Sequence, residues 1–212
     1  MSNEQPVATL LAEALQQLLD MATGGQDQPA ITLPPAAQPT APTLLAQEAA
    51  VQPAKGRRQP QADNLQLYTR CLALYRERMA GDSGQDDLGR AAALFVMANL
   101  AVLGRSGDAT TLQAVTQQMQ NALQQLPHWP STGLAARQML FEQLATLSVL
   151  VTQSAERARG QGPLARANVR TAALAYLRQW LALDAEFLTL SPQGLVVSPQ
   201  AVLRRTKKVL AA

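Results

Sequence analysis

The chain has 212 residues, 47% of them hydrophobic but only 4% aromatic, with 18 basic and 15 acidic residues and a net charge of +3. That length holds one well-buried domain with extensions, and a composition rich in Ala, Leu, Gln and Arg favours helix. A single cysteine excludes an intramolecular disulfide, and one cysteine with one histidine excludes the common zinc sites.

Residues 7–22 predict a short amphipathic helix, with Leu10, Leu11, Ala14, Leu15, Leu18 and Leu19 on one stripe and Glu13, Gln16, Gln17 and Asp20 opposite. Thr23-Gly24-Gly25 ends it. A helix this short is marginal in water, so residues 1–22 need a surface on which to bury the stripe. Residues 23–62 then read as a flexible linker. Seven prolines stand there among Ala, Gln and Thr, with the small basic cluster Lys55, Arg57 and Arg58.

The folded body is expected over 63–197. Asp63 or Asn64 suits the N-cap of a first helix to about Met79, with Leu65, Tyr68, Leu72, Tyr75 and Met79 on one face. A second helix, about 86–103, carries "LGRAAALFVMANLAVL", apolar nearly all round, as a buried central helix is. Asp108 caps a third, about 108–126, with Leu112, Val115, Met119 and Leu123 inward and glutamines outward. "LPHWP" separates it from a fourth, about 132–158. Pro163 opens a fifth, to about 183, because its missing N–H costs nothing in the first turn. "EFLTLSPQGLVV" follows and reads as a hairpin with a Ser-Pro-Gln-Gly turn that folds over the helices. Its strand edge leaves β-addition to a partner open. Ser198-Pro199 begins a last helix over 198–212. The expected architecture is therefore all-α: a single five-helix bundle-like domain with a short C-terminal β-hairpin and terminal helical extensions.

Charge is unevenly placed: residues 1–60 carry −2, residues 61–195 carry +1, and residues 196–212 carry +4 from Arg204, Arg205, Lys207 and Lys208. No run reaches the roughly 18 apolar residues of a membrane helix, and the first 20 residues lack the basic n-region of a secretory signal. The chain is expected to be cytoplasmic.

Catalytic constellations are not found. His128 has no G-x-S-x-G serine to serve, and no glycine-rich phosphate loop with its lysine occurs. Asp86 and Asp87 read as helix-start charges. Cys71 falls on an apolar stripe with Leu67 and Leu74, as a buried inert thiol does. Asp184 and Glu186 have no partner set. Glu142, beside Arg137, Gln138 and Gln143, reads as a helix-surface or interhelical hydrogen-bonding group. The chain is accordingly expected to be no enzyme and to hold no cofactor or metal.

Three segments in order, "AAALFVMANLAVLGRSG", "ARQMLFEQLATLSVLV" and "LDAEFLTLSPQGL", resemble a bacterial all-helical family of unknown function known mainly from proteobacteria. The resemblance covers about residues 67–197. It rests on Arg137, Gln138, Glu142, Leu188, Leu190 and Gly194. It implies no activity, and many members of that family look exported, unlike this chain with its proline-rich arm.

The residues favour a protein–protein interaction or assembly module. Its helix, through Leu11, Leu15, Leu18 and Leu19, docks onto its own domain, a second copy or another protein. The alternative is nucleic-acid or anionic-membrane binding through Arg204, Arg205, Lys207 and Lys208.

Overall fold

The computed structural model describes residue 13 and residues 60–81, 86–127, 129–181 and 184–198, with the backbone alone described at 60–65 and 179–181. His128, the linker before Pro60 and the C-terminal helix expected past Ser198 lie outside the described residues. So does the helix expected over 7–22, apart from Glu13, which is helical and exposed, as its place opposite the leucines predicts.

Five helices follow one another: α1 (Pro60–Arg78), α2 (Leu88–Val102), α3 (Ala109–Gln124), α4 (Leu134–Gly160) and α5 (Pro163–Leu181). A 3₁₀ turn at Ala185–Phe187 leads into β1 (Leu188–Ser191) and β2 (Gly194–Val197). The expected fold class is thus the observed one. α1 begins three residues before Asp63, because a proline's fixed φ and missing N–H suit a first helical turn.

α2 is the centre. Leu88, Ala91, Ala92, Ala93, Phe95, Val96 and Leu100 are all buried on it, each large side chain contributing about 1.5–3 kcal/mol of apolar burial. It packs against α3, α4 and α5, and α4 also carries α1. The alanines let the neighbouring backbones approach closely. Tyr75 of α1 meets Phe141 of α4 edge-on at 5.7 Å between ring centres, close to the preferred aromatic geometry.

Caps set where these helices stop and where the next side chain points. Asp87 accepts from the Arg90 N–H at 2.7 Å and Asp108 from the Thr111 N–H at 2.8 Å, each satisfying an orphan donor. At the other end of α2, Gly104 takes φ +84°. Its N–H bonds to the Ala101 carbonyl at 3.0 Å, and the Arg105 N–H bonds to the Leu100 carbonyl at 2.9 Å. These are the two bonds of a Schellman motif.

The hairpin is antiparallel, pairing Leu188 with Val197, Thr189 with Val196, Leu190 with Leu195 and Ser191 with Gly194. The connection is therefore Pro192-Gln193, a two-residue loop inside the expected Ser-Pro-Gln-Gly turn. Period-two alternation sends Leu188, Leu195 and Val197 into the core while Thr189 and Val196 face outward. β2 lies across α3, so the segment covers the bundle as its sequence predicts.

Candidate functional site

Three features of the domain bear on function: a cleft, a buried polar cluster and the two clamps that hold the hairpin. The cleft has a volume of about 240 Å³ and lies between α1, α2 and α4. Met79, Leu94, Met97, Ala98, Ala101 and Val149 supply its apolar lining, and Ser106 and Gly107 close the end beyond α2. Leu94, Met97 and Ala98 share one face of α2, opposite the side packed into the core. Arg78 is the one charged residue among the described residues that line it. Methionines beside small residues make an adaptable apolar surface, and Tyr75, Ser148 and Thr152 add polar groups to its lining.

The polar cluster stands at the start of α4. Arg137 and Glu142 are 3% and 1% exposed, far below what charged side chains usually show. Gln138 donates from Nε2 to Glu142 Oε1 at 3.0 Å. The Arg137 guanidinium lies 4.3 Å from the centre of the Trp129 ring and donates from Nη2 to the Trp129 carbonyl. Burial lowers its pKa below the usual arginine value. Trp129 is itself buried, so the arginine ties the α3–α4 loop to α4. The Gln138–Glu142 bond runs within α4, one turn apart, and Glu142 is buried rather than on the helix surface.

Two side chains hold the hairpin from a distance. Arg105, placed by the Schellman turn, donates from Nη1 to the carbonyls of Ala185 and Leu188. Gln118 of α3 accepts from the Leu195 N–H at 2.7 Å and donates to the Leu195 carbonyl at 3.2 Å. The β-addition option therefore loses its template at Leu195, whose outward groups are already paired. Nothing in the sequence pattern singles out either residue. Gln118 belongs to the glutamine-rich outer face of α3, and Arg105 follows a glycine in a loop.

The remaining candidates take structural places. Cys71 is 1% exposed; burial raises its pKa, against the opposite pull of Arg70 and Arg157. Asp86 has its pKa raised by burial, opposed by Arg76 at 3.7 Å. Asp87 caps α2 and also accepts from Gln120 at 2.9 Å. Asp184 pairs with Arg178 at 2.7 Å. Among the described residues no three His, Cys, Asp or Glu side chains gather closely enough to hold a metal ion, and no helix is long and apolar enough to cross a membrane. Leu11, Leu15, Leu18 and Leu19, and Arg204, Arg205, Lys207 and Lys208, lie outside the described residues.

No curated protein and no solved structure matches the chain. A family model does, over residues 1–198. The match begins well before the resemblance at residue 67 and takes in the leucine stripe of residues 10–19 and the proline-rich arm, so that arm is no departure from the family. It ends with the hairpin and leaves out the basic tail. The chain belongs to the family of unknown function DUF6683.

Proposed function

We propose that this protein is a non-enzymatic interaction or assembly module of the bacterial cytoplasm, working through its N-terminal leucine-striped helix. One observation carries the reading: the family match starts at residue 1 and so includes Leu11, Leu15, Leu18 and Leu19 with the folded body. A helix this short with a leucine stripe is stable in water only if something covers the stripe. The basic tail is the weaker basis, because residues 199–212 fall outside the matched segment.

The test compares the full chain with one lacking residues 1–22, by light scattering and by the set of proteins each retains from its host. Removal is expected to change the molar mass or the retained set. The same mass and the same set with and without the helix would end this reading.

A further inference from the structure

The cleft between α1, α2 and α4 is the seat of the chain's own N-terminal helix, we infer, so that residues 7–22 dock in cis. The inference rests on the proposed function and names the surface that the helix covers.

Three observations select this occupant. The first is reach. α1 begins at Pro60, and the cleft lies by Arg78, about 27 Å further along α1 at 1.5 Å per residue. The 37 residues from 23 to 59 are long enough to bridge it, since even the compact, Gly-rich limit for that length is about 30 Å and proline extends it. The second is charge. Residues 1–22 contain Glu4, Glu13 and Asp20 and no Lys or Arg, while Arg78 is the charged group on the described lining of the cleft. The third is shape. Leu11, Leu15 and Leu18 recur at i, i+4 and i+7, the anchor spacing of a helix laid in a groove. Met79, Leu94 and Met97 offer apolar surface, and Ala98 and Ala101 allow close approach.

The competing surface in the same chain is the outer face of α5, where Leu164 is 75% and Leu174 40% exposed. Those two leucines stand ten residues apart on it, so they do not offer the clustered apolar lining that the cleft does.

The experiment uses the full chain with Cys71→Ser, which removes the only native thiol. Ala14→Cys is paired in one variant with Ala101→Cys and in another with Ala167→Cys on α5. A short bis-maleimide is expected to close the 14–101 pair within one chain and to leave the 14–167 pair open. Linkage of 14 to 167, or 14–101 linkage between two chains, would overturn the cis seat while leaving the interaction reading intact. No linkage in either variant, together with no effect of deleting residues 1–22, would remove both.

A second measurement needs no thiol: a fluorescent peptide of residues 5–22 is titrated with the chain lacking residues 1–22. Ala101→Trp, at an exposed position on the cleft, is expected to weaken binding about tenfold, as loss of one anchor does. Arg78→Glu is expected to weaken it and to reduce its salt dependence. Peptide binding unchanged by both substitutions would overturn the inference.

Discussion

The side-chain amide of Gln118 pairs with the backbone of Leu195 as a neighbouring strand would, accepting its N–H and donating to its carbonyl. A helix residue thus completes the edge of β2. Gly194 stands beside it at φ +112°, and a Cβ there would collide with the same amide. Gln118→Ala is expected to cost about 1–3 kcal/mol, since it leaves two edge groups partly buried and unpaired. Gly194→Ala suffers both backbone strain and the collision. The double variant is therefore expected to be less destabilised than the sum, because removing Gln118 relieves the collision. Urea denaturation of the four chains measures that coupling.

Arg137 and Trp129 support a second prediction. Arg137→Lys retains a positive charge but loses the planar stack and the guanidinium's fixed donor geometry. A loss of about 1–2 kcal/mol is expected from the cation–π and hydrogen-bond contributions. Arg137→Ala also removes packing from a buried position and is expected to cost more. Thermal unfolding monitored by circular dichroism ranks the two variants. Equal stability of Arg137→Lys and the native chain would contradict the role given to the stack.

Burial that raises the Cys71 pKa predicts a slow thiol. The native chain is expected to react with a maleimide or disulfide reagent far more slowly at pH 8 than the urea-unfolded chain. The sign for stability follows from linkage. The unfolded thiol ionises first as pH rises past its ordinary value of about 8.5. The contribution of the neutral thiol, complete below that pH, is then lost as pH climbs towards the folded value. Cys71→Ala is expected to flatten the alkaline fall in stability, whatever it costs at neutral pH.

Asp108 gives the opposite sign. The Thr111 N–H and hydroxyl hold its carboxyl below the usual range. Its contribution to α3 is present above the ordinary aspartate value of about 3.9 and is lost as pH falls through the lowered one. Asp108→Ala is expected to remove that acid-side dependence, measured as the difference in midpoint between pH 3 and pH 6. A parallel pH profile for the variant and the native chain would rule the cap out as its source.

Much of this architecture is legible in local chemistry. The Asp108 cap, the all-round apolarity of α2, Pro163 at the head of α5 and the alternation of the hairpin each depend on residues close in sequence. The start of α1 is less so, because proline at a first helical position looks the same as proline in a linker. The clamps are not legible. Gln118 and Leu195 are 77 residues apart, and Arg105 and Leu188 are 83 apart, and only the packing of β2 on α3 brings the first pair together. The cleft was also hidden, since Leu94 and Met97 read as further core on a helix apolar all round. The leucines expected to bind a partner are legible as a stripe, whereas what covers them depends on the rest of the fold.

Arg105 and Gln118 have a consequence for how the protein is made. Domains are synthesised from the N-terminus at about 5–20 residues per second, and both clamps are waiting in the chain long before their acceptors at 185–195 emerge. Until then the surface of α3 that receives Leu195 is open to water and to other nascent chains. The helical body, rich in local contacts, forms early. The hairpin seals it only once residues 188–197 have emerged, so chains halted short of residue 195 should be the ones that aggregate.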